Sequence, residues 1–198
     1  MGKPFEPLIL ASGSPRRAEI LRRVGIPFDV VVPRITEAND RTCDTIEARA
    51  EEVALMKAES VSLHRPGRIV LGADTLVVCE NEVFGKPKTE AEAAGMLERL
   101  SGRDHFVVTG IALCRKDGEF ESATGCESTV VTFKSLSQAE IRRYVATGES
   151  LDKAGGYGIQ GKGAFLIKRI AGCYFNVVGL PISRLYDMLR RWGYEPFG

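Results

Sequence analysis

Hydrophobic positions fall alternately into short apolar runs and helical stripes, a pattern that predicts an α/β chain. Leu8-Ile9-Leu10-Ala11 reads as a buried strand, broken by Ser12-Gly13-Ser14 before Pro15 opens a helix with Ile20, Leu21 and Val24 on one side. Gly25 ends that helix, and Phe28 to Val32 forms the next strand. A second helix is predicted from about Thr45 to Ser60, rich in Glu, Ala and Arg, with Ile46, Val53, Leu55 and Met56 as its apolar residues. Ile69-Val70-Leu71-Gly72-Ala73-Asp74-Thr75 carries no helical stripe and begins β-branched, so it reads as a strand that closes on small residues and a carboxylate. It continues extended through Val78, turns at Glu80-Asn81-Glu82 and returns along Val83-Phe84, which puts Lys86 on a hairpin return.

The second half repeats the alternation. Thr89 and Glu92 have the spacing of a capping box, and Ala93, Met96, Leu97 and Leu100 form the stripe of a helix closed by Ser101-Gly102. Phe106 to Leu113 and Phe120 to Phe133 are β-rich and are joined around Lys116-Asp117-Gly118, whose Asp-Gly pair suits a tight hairpin. Ser137 and Glu140 form a second capping box ahead of Ile141, Tyr144 and Val145, and Thr147-Gly148 stops that helix. A glycine-rich segment, Asp152 to Gly161, leads to Ala164-Phe165-Leu166-Ile167, which reads as a strand. The last helix starts at Pro181 with Ile182, Leu185, Leu189 and Trp192 as its apolar face, and Gly193 fits its exit. There is no internal repeat.

A length of 198 residues suits one domain, or two small lobes sharing a core. Lys and Arg total 27 against 26 for Asp and Glu, so no global field draws the chain to nucleic acid or a membrane, and any anion must be bound locally. The cysteines Cys43, Cys79, Cys114, Cys126 and Cys173 are odd in number and contain no CxxC pair, which argues against a disulfide framework or a zinc site and for reduced thiols in cytoplasm. No signal peptide or membrane-spanning run is evident.

Chemistry concentrates in a few places. Ser14 as N-cap and Pro15 as first helical residue aim the free N–H groups of a helix start outward, an anion site by construction. Arg16 and Arg17 oppose the helix dipole there unless something negative, such as a phosphate, neutralises them. Gly156-Tyr157-Gly158-Ile159-Gln160-Gly161 satisfies G-x-G-x-x-G by letter, but the order of elements around it is the reverse of a dinucleotide fold. Gly156 to Lys162 imitates a P-loop, yet Gly163 replaces the hydroxyl residue that would hold magnesium. His64 and His105 have no Ser or Cys partner or nucleophile elbow and read as surface or turn histidines, while the cysteines read as small hydrophobes. What remains is a set of carboxylates, Glu37, Asp74 and Asp152, with cations Lys86 and Lys153 and the amide of Gln160, a combination that describes a magnesium polyphosphate site.

The segments Leu10 to Arg17, Gly72-Ala73-Asp74-Thr75, Gly85-Lys86-Pro87, Leu100 to Arg103, Asp152 to Gly161 and Asn176 to Pro181 closely resemble the Maf family of nucleoside triphosphate pyrophosphatases. The resemblance implies an elongated mixed sheet flanked by helices, with two lobes around a deep cleft, similar to the fold of the inosine triphosphate pyrophosphatases and spanning 1–198 as one domain. It implies hydrolysis of a nucleoside triphosphate to the monophosphate and pyrophosphate, with a divalent cation, Mg²⁺ first and Mn²⁺ or Co²⁺ as alternatives, in a homodimer. Asp74 matches the family's catalytic acid, assigned as general base near the metal, with Lys86 beside it as a catalytic cation. Arg16, Thr75 and Gln160 match specificity positions; Ser12, Ser14, Arg16, Arg17, Lys86 and Lys153 are expected at phosphate; Glu37 is expected with Asp74 at the metal, although the acid often found before Glu37 is missing here. The Gly-Tyr-Gly-Ile-Gln-Gly form resembles the branch acting on dTTP and UTP rather than the sister branch acting on 7-methyl-GTP. The alternatives are a pyrophosphatase for 7-methyl-GTP or non-standard purine nucleotides and, in another class, a nucleotide-sensing inhibitor of cell division; the near-neutral charge argues against nucleic acid as its partner.

Overall fold

The apolar runs become the strands of a single mixed sheet, flanked by helices formed from the striped segments, in a computed structural model that describes residues 6–35 and 43–194. In chain order the elements are β1 (Leu8–Ala11), α1 (Pro15–Arg23), β2 (Phe28–Val30), α2 (Ile46–Ser62), β3 (Val70–Cys79), β4 (Glu82–Phe84) and α3 (Glu90–Leu100). They continue as β5 (Asp104–Asp117), β6 (Glu119–Phe133), α4 (Gln138–Val145), β7 (Ile167–Ala171), α5 (Tyr174–Val178) and α6 (Ile182–Arg191). The strand order is β2-β1-β3-β5-β6-β7, with β4 paired to β3. β1 pairs in parallel with β2 and β3, as strands joined through helical crossovers must, while β4 and β7 pair antiparallel with β3 and β6. Only Gly118, at φ +83°, separates β5 from β6, so the Asp-Gly turn is as tight as its sequence predicts.

The chain divides into two compact units. The first comprises Met1–Asp74, Thr109–Glu127 and Gly179–Gly198. Its core is built on α2, and the large apolar residues are not what makes the contact. Ala50, Ala54 and Ala58, spaced by four, are fully buried, whereas Val53, Leu55 and Met56 are half-buried. The reason lies in the strands: a Cβ on Gly72 would stand 2.0 Å from the Ala54 carbonyl oxygen, and one on Gly110 2.2 Å from the Ala50 carbonyl carbon. Helix and strand backbones therefore touch, and only alanine opposite glycine leaves room for that.

The second unit comprises Thr75–Val108 and Ser128–Val178. Phe84, Leu97, Leu100, Val107, Phe133, Ile141, Tyr144 and Tyr157 form its core. Ser137 makes the complete reciprocal capping box with Glu140 at the start of α4. At α3 the box is incomplete. Thr89 accepts from the Glu92 N–H, but the Glu92 carboxylate accepts from Lys88 N–H at 2.7 Å, one residue before the cap.

Four local expectations are corrected. Val24 follows the last residue of α1 with φ −90° and ψ 3°, which rotates it off the apolar face and leaves it exposed. Ala164–Leu166 belong to a 3₁₀ turn, Gly161–Leu166, and the strand begins at β-branched Ile167. Met188 completes the buried face of α6, while Ile182 and Trp192 at its two ends are half-buried. Ser14 occupies the N-cap position of α1, but its hydroxyl caps nothing.

Candidate functional site

Asp74 is reached from α2. Two residues beyond Gly72 on β3 it shares that glycine's face, and Lys57 is three residues beyond Ala54 on the helix lying against that face. Close packing of the two backbones brings Lys57 Nζ within 2.7 Å of Asp74 Oδ1, with the two side chains 12% and 13% exposed. A charge-assisted bond so well shielded fixes the orientation of the carboxylate. Lys57 went unnoticed in the sequence because it sits in a Glu- and Ala-rich helix whose charges read as solvent-facing.

The strand-loop-helix that opens the first unit is tied together by Ser12 and Arg17. Ser12 is buried at the end of β1; its Oγ accepts from the Ser14 N–H at 3.2 Å and from Arg17 Nη1 at 2.9 Å. Arg17 Nε also donates to the Gly179 carbonyl at 2.9 Å, immediately before the Leu180-Pro181 entry to α6. Arg17 thereby fixes the loop to the last helix. Arg16 lies half-buried in the first turn of α1. The first unit thus brings Ser12, Ser14 and Arg17 together and pairs Asp74 with Lys57.

The second unit holds Thr75, Lys86, Lys153 and Gln160. Lys86 is exposed two residues beyond β4, and the turn that carries it accepts, through the Gly85 carbonyl, from Gly155 N–H at 3.0 Å. The glycine-rich loop is therefore fastened beside Lys86. Lys153 Nζ donates to the Glu149 carbonyl at 2.6 Å and pairs with the Asp152 carboxylate. Farther along, Tyr144 Oη accepts from Gly158 N–H at 3.2 Å, and both Glu149 carboxylate oxygens accept from Lys162 N–H, at 3.3 and 3.1 Å. Burial pushes the Tyr144 phenol up to about 12, so it remains a neutral hydroxyl. Gly155, Gly156 and Gly161 have φ near +70°, a backbone that side chains would strain. Gln160 is half-buried at the mouth of the following 3₁₀ turn.

His105 departs furthest from expectation. It is not at the surface or in a turn but on β5 with no exposed area, its Nε2 2.7 Å from Tyr157 Oη. Burial pushes its imidazole down to about 4, against the pull of Asp104. All five cysteines are free; Cys79 and Cys114 are buried as small hydrophobes, whereas Cys43, Cys126 and Cys173 are only partly buried and Cys43 Sγ donates to Glu52 Oε2 at 2.9 Å. Burial raises the thiols of Cys79 and Cys114, and burial with the Glu51 charge lifts Cys126 to about 11.

For a metal, the donor set is sparse. Among the described residues no three His, Cys, Asp or Glu side chains are grouped to hold an ion, and Glu37 lies outside the described residues. Asp74 alone, with one oxygen on Lys57, fits a magnesium ion held mostly by substrate phosphates and water rather than an all-protein cage.

A family model described as Maf-like protein matches residues 7–192. A dTTP/UTP pyrophosphatase of Symbiobacterium thermophilum is 54% identical over 193 residues, covering 98% of this chain and 97% of that protein. A dTTP/UTP pyrophosphatase of Moorella thermoacetica is 50% identical over 191 residues, covering 96% and 97%. Among solved structures, the Staphylococcus aureus Ham1 protein aligns at 18% identity with a TM-score of 0.48, over 93% of this chain and 98% of that one.

Proposed function

Because the chain belongs to the Maf-like protein family, we propose that it hydrolyses dTTP and UTP to the nucleoside monophosphate and pyrophosphate. The observation that carries the reading is 54% identity, over nearly the whole of both chains, to a protein named for that reaction. The buried Lys57–Asp74 pair supports it from the side of the chemistry. A carboxylate fixed by one oxygen presents the other in a set direction, the arrangement a general base needs.

In this reading Asp74 takes the proton from a water that attacks the α-phosphorus, and pyrophosphate leaves. Lys57, bonded to one carboxylate oxygen, holds the Asp74 side chain oriented before attack. The N-terminus of α1, with Ser12, Ser14, Arg16 and Arg17, offers donors to phosphate oxygens; Arg17, partly committed to Ser12 and Gly179, chiefly sets the loop's shape. Lys86 and Lys153 supply positive charge to the non-bridging oxygens, and Thr75 with Gln160 selects the base. Asp74 would hold a divalent cation, Mg²⁺ in the first instance, jointly with the nucleotide, and that ion would supply charge neutralisation on the phosphates. The proposal extends to a homodimer in the cytoplasm, a setting supported by the free cysteines. Among the described residues no helix is long and apolar enough to cross a membrane.

The test is pyrophosphate release by the purified protein with Mg²⁺ from dTTP, UTP, CTP, GTP, 7-methyl-GTP and ITP. Preferred turnover of dTTP and UTP is expected. Preference for 7-methyl-GTP or ITP would keep the chemistry and overturn the substrate assignment, and no turnover of any nucleotide would overturn the reading.

A further inference from the structure

Three rings meet in the core of the second unit. His105 and Phe133 stand edge to face with centroids 5.0 Å apart, His105 and Tyr157 at 5.3 Å, and Phe133 and Tyr157 at 4.7 Å. An apolar trio would fill this space at less cost. With His105 Nε2 on the Tyr157 hydroxyl, Nδ1 is buried with no hydrogen-bond partner among the described residues. Whichever nitrogen carries the proton, one polar group stays unsatisfied in the core, and that is a penalty. A polar pair retained at such a position specifies where a side chain goes rather than how tightly the core holds.

What it places is the glycine-rich loop. Tyr157 is the only large buried side chain between Asp152 and Gly161, and it is flanked by Gly156 and Gly158. Chain so rich in glycine has many conformations to lose, and backbone bonds alone define it loosely. The phenol hydroxyl bonded to His105 sets how deeply Tyr157 seats, and with it the loop. Lys153 feels that setting directly, because a Cβ on Gly158 would stand 2.7 Å from its Cδ. Gln160 follows three residues after Tyr157. We infer that His105, through its hydrogen bond to Tyr157, is a positioning residue that registers the loop bearing Lys153 and Gln160 for nucleotide binding. For the identity of that nucleotide the inference rests on the function proposed above. Burial keeps both groups neutral near pH 7, since it lowers the imidazole to about 4 and raises the Tyr157 phenol.

The experiment uses the full chain and three variants: Tyr157→Phe, the double variant His105→Phe with Tyr157→Phe, and His105→Gln, whose amide can reach the phenol hydroxyl. Deuterium uptake of residues 152–163 without nucleotide reports the loop, steady-state kinetics with UTP reports binding, and thermal unfolding reports stability. Tyr157→Phe and the double variant are expected to speed uptake in the loop but not in α3. They are expected to raise KM about tenfold, the worth of one hydrogen bond, with kcat within about twofold. The double variant, free of unpaired polar groups, is expected to unfold no earlier than the native protein, and His105→Gln to keep the native KM. A structural role alone moves unfolding and spares KM. Native uptake and native KM in Tyr157→Phe and the double variant would overturn the inference. If the native protein turns over no nucleoside triphosphate, the proposed function fails, and loop uptake alone then decides this inference.

Discussion

Lys57 Nζ stands 2.7 Å from Asp74 Oδ1, joining a helix to a strand across a contact in which neither backbone leaves room for a side chain on Gly72. Shortening the lysine to an apolar stem of similar length, Lys57→Met, leaves a carboxylate 13% exposed without its cation. The expected cost is about 2 kcal/mol of stability, read by urea denaturation at pH 7, with a fall in UTP turnover of at least tenfold, about 1.4 kcal/mol in the barrier. Adding Asp74→Asn to Lys57→Met is expected to recover most of the stability and none of the turnover.

The same substitution at two glycines is expected to have opposite signs. Gly72→Ala drives a methyl group to 2.0 Å from the Ala54 carbonyl oxygen, so α2 must move away. A loss of about 3 kcal/mol is expected, and turnover falls further than the unfolded fraction explains because Lys57 moves with the helix. Gly95, inside α3, has open space where a Cβ would go. Gly95→Ala is expected to stabilise by about 0.8 kcal/mol. Urea denaturation of both variants checks the pair.

Local signals were legible in the chain and distant ones were not. Ser137 with Glu140, Pro15 at the first turn of α1 and Gly118 between β5 and β6 each act within a few residues, so their letters predict their structure. That Asp74 lies on a strand was legible for the same reason, but it falls in the middle of β3 rather than where the strand closes. Its partner Lys57 and the buried setting of His105 depend on chain brought in from 17 and 52 residues away, where spacing carries no information. One signal was available for the first of these. Alanines 50, 54 and 58 at four-residue spacing, with glycines 72 and 110 inside apolar strands, announce a backbone-to-backbone contact. Reading the helix by its larger apolar residues hid it.

Stability is expected to depend on pH through His105. Its imidazole falls from an ordinary 6.5 to about 4 in the folded protein, first because it is buried and despite the opposing charge of Asp104. Between those values the unfolded chain binds the proton and the folded chain does not, so stability is full above about pH 6.5 and is lost as pH falls toward 4. The expected loss is about 3 kcal/mol between pH 7 and pH 4. Urea denaturation across that range, with the His105→Phe and Tyr157→Phe double variant for comparison, checks it: the variant is expected to lack this component of the slope.

Gln160 carries both donors and an acceptor on its amide, which suits the edge of a uracil-type base. Gln160→Ala is expected to raise KM for UTP and dTTP about tenfold while leaving CTP and GTP little changed, which narrows the preference. Pyrophosphate release from each nucleotide measures it, and unchanged preference would remove the residue from base selection.

In the proposed reaction Asp74 is the base that activates water for attack on a nucleoside triphosphate. Asp74→Asn keeps the shape of the side chain and removes its basicity. UTP turnover by the purified variant, measured beside UTP binding, is the direct measurement. Turnover is expected to fall by about a thousandfold with binding retained. Turnover at the level of the unaltered chain would contradict it.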